Sequence, residues 1–156
     1  MNIRLDHINL SVIDLKKSIQ FYQALFDFEI VEQGDPNLET WAILQRGESM
    51  LCLTTKNIRK STDEDYATIH LANHFALRTS DENEWSKRFR YYQPETYYPT
   101  PHKYPHSTSW YIKDPNGHRI EVVAWKKDQV QFDPNPYQNR SGGRLDKPMI
   151  EFPIIL

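Results

Sequence analysis

Leu5-Asp6-His7-Ile8-Asn9-Leu10-Ser11-Val12, running on into Ile13-Asp14-Leu15, is the stretch that decides how this chain folds. Side chains alternate across a strand, so His7, Asn9 and Ser11 share one face with Leu5, while Ile8, Leu10 and Val12 share the other. Asp14 has the residue type and the place of a helix N-cap. Leu15, Ile19, Tyr22, Leu25 and Phe26 then recur at helical spacing, which predicts an amphipathic helix over 15–26.

The same arrangement returns sixty-seven positions later. His7-x-x-Leu10-x-x-x-Asp14 becomes His74-x-x-Leu77-x-x-x-Asp81, predicting a strand over 69–78 and a helix over 82–92. Three short strands are predicted after the first helix, near 28–33, 39–46 and 49–55, with Arg46-Gly47-Glu48-Ser49 as a hairpin turn. Two are predicted after the second, near 107–113 and 118–125, joined by a turn at Asp114-Pro115-Asn116-Gly117. Residues 56–66 are polar and charged and read as a linker. Residues 93–106 carry four prolines, which bars them from any regular central element. Neither half can bury both faces of its sheet alone, so two packed copies form the natural unit.

The totals limit the function classes. A chain of 156 residues suits one domain. A net charge of −2 gives no basic surface for nucleic acid. One cysteine, Cys52, forbids an intrachain disulfide and points to a reducing cytoplasm. The first residues do not read as a signal peptide, and no apolar run has the length of a membrane span.

The repeat also defines four equivalent places. Met50-Leu51-Cys52-Leu53-Thr54 aligns with Arg119-Ile120-Glu121-Val122-Val123, so Cys52 and Glu121 correspond as His7 and His74 do. Two imidazoles and a carboxylate suit one divalent ion (Zn, Mn, Ni or Fe(II)) with positions left open for water or substrate. Cys52 reads as a small buried hydrophobe.

Residues 5–22 and the segment Tyr111-Ile112-x-Asp114-Pro115-Asn116-Gly117-His118-Arg119-Ile120-Glu121 together resemble the vicinal oxygen chelate superfamily. That superfamily includes glyoxalase I, fosfomycin-resistance enzymes, extradiol dioxygenases and bleomycin-binding proteins. The resemblance implies an α+β fold of two βαβββ modules forming an open, U-shaped mixed sheet around a metal. It assigns residues 1–125 to one glyoxalase-like domain with repeats at 1–56 and 68–125, and leaves 126–156 as a C-terminal extension.

The superfamily's metal ligands fall on His7, His74 and Glu121. Glu121 doubles as a candidate catalytic group, and Tyr111 matches a substrate-contacting tyrosine of the fosfomycin-resistance branch. Asn9, Arg78 and His106 are the substrate-side candidates; Arg78 lies four positions after His74 on the same strand face and has the chemistry to bind an anion. Glyoxalase I enzymes place a glutamate where this chain has Cys52. Extradiol dioxygenases add a histidine and a tyrosine beside Fe(II), for which His102, His106, Tyr104 and Tyr111 are available. The implied activity is Lewis-acid isomerisation, addition or ring-opening of a small oxygenated substrate by a homodimer. Extradiol-type oxygenation and non-catalytic binding of an antibiotic-like molecule are the alternatives.

Overall fold

Strand β1 (His7–Val12) leads directly into helix α1 (Leu15–Phe26). The Asp14 side chain accepts the Lys17 N–H, satisfying a first-turn donor that the helix itself cannot. The helix ends at Asp27 in the left-handed conformation. Strands β2 (Glu29–Gln33), β3 (Trp41–Arg46) and β4 (Ser49–Thr55) follow. Arg46 pairs with Ser49 across a two-residue loop, and Gly47 supplies the positive φ at its first position. The computed structural model from which these elements are taken describes residues 3, 5–69 and 72–127.

The second half repeats the plan. Strand β5 (Phe75–Thr79) leads into helix α3 (Glu82–Tyr92), capped by Asp81 on the Glu84 N–H. Strands β6 (His102–Lys103), β7 (Ser107–Lys113) and β8 (Arg119–Trp125) complete it. The two sheets have the orders β1-β4-β3-β2 and β5-β8-β7-β6. In each, the first strand runs parallel to the last. This is the duplicated βαβββ architecture that the family resemblance implies, with the repeated strand–helix start expected from the two histidine-to-aspartate stretches. The register extends the likeness to single residues: Asn9 pairs with Cys52, and Ala76, sixty-seven positions after Asn9, pairs with Glu121.

Leu10, Val12, Leu44, Leu51 and Leu53 bury one face of the first sheet against Leu15, Ile19, Tyr22 and Leu25. Trp110, Ile112, Ile120, Val122 and Ala124 do the same in the second half with Trp85. The helices join the two halves. Phe26 stacks on Trp85 at 5.4 Å between ring centroids and 9° between planes. Arg88 of α3 donates to the Asp27 carboxylate at the end of α1 at 2.7 Å.

The Asp114–Gly117 turn is a second junction. Asn116 is fully buried. Its amide nitrogen donates to Ser18 Oγ and to Asp114 Oδ2, both at 3.0 Å, and its Oδ1 accepts the Ile13 N–H at 2.8 Å. Tyr22 donates to the same Asp114 oxygen at 3.0 Å. Burial, with that carboxylate adding to it, pushes the Tyr22 phenol well above its usual range, so it stays a donor.

Three segments differ from the sequence reading. The linker contains a short helix, α2 (Asp63–Thr68), with a capping box between Thr62 and Asp65. Asp is a shorter substitute for the usual Glu at that place, which hid the signal. The strand predicted over 69–78 begins only at Phe75, because the register with its partner β8 starts at Phe75 and Ile120. The proline-rich segment is pinned to the edge of the second sheet. β6 pairs with β7, the Lys113 N–H donates to the Glu95 carbonyl, and the Tyr97 N–H donates to the Tyr111 carbonyl. Edge pairing is what proline permits. The C-terminal extension from 128 onward, with its apolar end, lies outside the described residues. No helix among the described residues is long and apolar enough to cross a membrane.

Candidate metal centre

Glu121 lies on β8, on the face opposite the buried Ile120 and Val122. His74 stands immediately before β5, the parallel neighbour of β8. The fold therefore brings the two together, with His74 Nε2 at 3.0 Å from Glu121 Oε2. The other carboxylate oxygen, Oε1, accepts from the Tyr111 hydroxyl at 3.3 Å across the antiparallel β7–β8 pair. Each oxygen of Glu121 thus has its own neighbour. The Tyr111 ring lies 6.0 Å from the His74 ring, edge-on.

Tyr111 is buried and is surrounded by rings from the proline-rich segment. The rings of Tyr97, Tyr98 and His102 lie 5.4, 5.1 and 5.0 Å from it. Tyr104 places its hydroxyl 3.3 Å from that of Tyr111. Burial foremost, then the Tyr104 hydrogen bond and the Glu121 charge, push the Tyr111 phenol far above its usual range. It remains a neutral hydrogen-bond donor at any physiological pH. Burial acts in the same direction on Tyr97, whose hydroxyl is enclosed and has no hydrogen-bond partner among the described residues.

Arg119 precedes Glu121 by two residues on the same face. Its guanidinium lies 4.2 Å above the Tyr66 ring and 4.7 Å from the Tyr97 ring, and it donates to Asp63 at 2.8 Å. Lys113 reaches the same aspartate at 3.0 Å. Both cations favour the charged carboxylate, Arg119 first, and hold Asp63 below the usual carboxylate range. The linker helix is in this way tied to the strand that carries Glu121. Tyr66, Tyr97, Tyr98 and Arg119 were not singled out by spacing or motif; their convergence depends on how two irregular segments fold back onto β7 and β8.

The other expected residues divide in two. Arg78 shares the Glu121 face through its register with Val123, and donates to the Lys127 carbonyl at 3.4 Å. His106 lies further along, with Nδ1 at 2.9 Å from Ser107 Oγ and its ring stacked on Trp125. His7 and Asn9 belong to the first sheet. Asn9 accepts from Thr54 Oγ1 at 3.2 Å, and His7 Nδ1 lies 2.9 Å from Asp6 Oδ2. Within one chain, and among the described residues, no three His, Cys, Asp or Glu side chains come together as a ligand cluster, so His7 does not join His74 and Glu121. Cys52 is half-buried on the His7 face; burial, with the Asp6 charge adding to it, raises its thiol pKa and keeps it a thiol.

The His74–Glu121 pair fits a shared divalent ion. Its donor chemistry is right, an imidazole nitrogen and a carboxylate oxygen, and they stand 3.0 Å apart, a separation that a direct hydrogen bond between them also gives.

The sequence model of the Glyoxalase/Bleomycin resistance protein/Dioxygenase superfamily matches residues 4–122. The metallothiol transferase FosB of Staphylococcus epidermidis is 27% identical over 128 residues, spanning 81% of this chain and 86% of that protein. Among solved structures, a lactoylglutathione lyase from Agrobacterium tumefaciens superposes with a TM-score of 0.59 at 26% identity, covering 80% of this chain and 95% of its own. The fosfomycin resistance protein FosX from Listeria monocytogenes superposes with a TM-score of 0.60 at 24% identity, covering 80% and 94%, a likeness of fold alone.

Proposed function

This chain belongs to the glyoxalase/bleomycin resistance protein/dioxygenase superfamily, and from that membership we propose that it is a metal-dependent enzyme, of transferase or lyase type, acting on a small oxygenated substrate. The observation that carries this reading is the 3.0 Å approach of His74 Nε2 to Glu121 Oε2. The names of its relatives, a metallothiol transferase and a lactoylglutathione lyase, agree with the reaction class. A bound Zn, Mn, Ni or Fe(II) ion supplies Lewis acidity toward a substrate oxygen. Glu121 and His74 would hold the ion, with the Tyr111 hydroxyl bonded to Glu121 Oε1 and Oε2 turned to His74. The one hydroxyl proton of Tyr111 is committed to Glu121 Oε1, so Tyr111 acts on the substrate through the carboxylate it holds. Arg78, on the same face, is the side chain for an anionic substrate group.

The third ligand is His7, contributed by a second copy of the chain. His7 and His74 occupy equivalent places in the two repeats. The His7 face of the first sheet is open, with Trp41, Ile43 and Met50 only half-buried beside His7 and Asn9. A two-fold pairing of the first sheet of one copy with the second sheet of the other covers that face. It sets His7 against His74 and Glu121 of the opposite copy, twice per dimer.

The test is elemental analysis of protein purified without chelator and incubated with Zn, Mn, Ni or Fe(II). Stoichiometric metal is expected in the wild type and loss of it in His74→Ala and Glu121→Gln. His7→Ala and Glu121→Gln, each defective alone, should on mixing and subunit exchange recover about one quarter of the wild-type sites, because half the dimers are then mixed and each has one intact site. No metal in the wild type would end the enzyme reading in favour of a binding protein; no recovery on mixing would end the shared site.

One observation favours a second reading. His102 and Tyr104 flank Tyr111, and two histidines with one carboxylate suit Fe(II) oxygenation. Oxygen uptake with catechols under Fe(II) would identify that branch; depletion of a thiol co-substrate with epoxides would identify the transferase.

A further inference from the structure

As a ligand, His7 is an exposed imidazole at the start of a strand and needs a neighbour to hold its ring ready. Asp6 answers this. Its Oδ2 lies 2.9 Å from His7 Nδ1. A carboxylate only accepts, so the shared proton is on Nδ1, and of the two neutral tautomers this favours the one with its lone pair on Nε2. His74 differs: its Nε2 faces Glu121 Oε2 at 3.0 Å, so without an ion the same rule puts its proton on Nε2, and an ion bound between them would displace that proton.

The duplication supplies an internal comparison. The position equivalent to Asp6 in the second repeat is Asn73, which carries no charge. His74 is instead fixed by Glu121 within its own chain. Among the described residues His7 has Asp6 as its hydrogen-bond partner; its side chain is 45% exposed, and that of Asp6 is 74% exposed. An unheld imidazole there would divide its population between two tautomers and several ring orientations, and only part of it could meet an ion carried by another copy.

Resting on the reading of His7 as the partner-supplied ligand, we propose that Asp6 is a positioning residue that favours the Nδ1–H tautomer of His7 and so presets Nε2 as the ligand atom. A carboxylate behind a ligating histidine also makes the ring a stronger donor, and losing such a partner typically lowers metal affinity about 10- to 100-fold. The exposed pair is weak in water, so its effect is greatest once the second copy covers it.

The experiment uses full-length protein with 15N-labelled histidine, the His7 signals being assigned with His7→Gln. In metal-free wild type, His7 should appear with Nδ1 protonated and Nε2 bare. In Asp6→Ala that preference should be lost. Titration with Zn or Mn should then show affinity about 10- to 100-fold lower in Asp6→Ala, with a smaller loss in Asp6→Asn, which keeps an acceptor oxygen without its charge. Both variants are surface changes and should keep the wild-type circular dichroism. A wild-type His7 protonated mainly on Nε2, or an Asp6→Ala affinity within about twofold of wild type, overturns the proposal and leaves the metal reading standing. A wild type that takes up no ion removes both.

Discussion

Replacing Asn116 by alanine deletes three hydrogen bonds at the junction between the repeats: two donated by Nδ2, to Ser18 and Asp114, and one accepted by Oδ1 from the Ile13 N–H. The side chain is fully buried, so water does not replace them freely. At about 1 kcal/mol net per bond, and more where a buried group is orphaned, the loss is about 2–4 kcal/mol. Asn116→Asp is the sharper perturbation. It keeps an acceptor for Ile13 but sets a second carboxylate where Nδ2 now lies 3.0 Å from Asp114 Oδ2. Two charges at that distance repel by about 5 kcal/mol at an effective dielectric constant near 20, an upper bound that the group escapes by taking a proton. The folded-state pKa of the introduced aspartate is then raised above its unfolded value of about 3.9. A raised carboxyl pKa means that the folded state binds the extra proton, so stability is lost as pH rises from about 4 through the folded pKa. Asn116→Asp should therefore be less stable than Asn116→Ala at pH 7, with the difference shrinking toward pH 4. Urea unfolding followed by the fluorescence of buried Trp85 and Trp110 reads this directly. Wild-type stability in Asn116→Asp at pH 7, or a difference between the variants that ignores pH, would refute the account of the junction.

Gly117 has φ +86°, and a Cβ there would lie 2.3 Å from the Ser61 carbonyl oxygen. Gly117→Ala should cost at least about 1–2 kcal/mol from backbone strain alone, with a further loss because the linker backbone must move; thermal unfolding would show it, and an unchanged Tm would contradict the close approach. Asp63→Asn removes a carboxylate whose folded pKa is depressed by Arg119 and Lys113. The stability advantage of wild type over this variant should be full above the unfolded pKa of about 3.9 and should fade as pH falls through the depressed folded value; denaturant midpoints measured from pH 7 down to pH 3 give the comparison, and a constant offset would argue against the pairing. Tyr111→Phe removes the hydroxyl on Glu121 Oε1. It should weaken metal binding by about tenfold without abolishing it, as read by titration calorimetry, and undiminished affinity would show that the phenol does not hold the carboxylate.

The duplicated architecture could be read from the sequence because its signals are local. A strand shows as alternation, a helix start as Asp14 or Asp81 ahead of a periodic run, a turn as Gly47 or as Asp114-Pro115-Asn116-Gly117. Each needs only near neighbours in the chain, and each occurs in both repeats. The pairing of His74 with Glu121 was legible for a similar reason. Once the first strand of a module runs parallel to its last, the histidine ahead of one and the glutamate within the other must be adjacent. What the sequence could not settle was how the two modules stand to each other and what covers their faces. Phe26 on Trp85, Arg88 on Asp27 and Asn116 on Ser18 join the modules through helices and a turn, and no periodicity encodes such a contact. That packing keeps His7 out of a ligand cluster with His74 and Glu121 in one chain. It also lets two segments that looked like connections, 56–66 and 93–106, place Tyr66, Tyr97 and Tyr98 around Arg119 and Tyr111. The sequence by itself determined the modules and the residue types at the candidate metal site, since strand and helix periods are properties of the local chain. Only the tertiary structure decided which of those residues meet, because meeting depends on contacts between residues far apart in sequence.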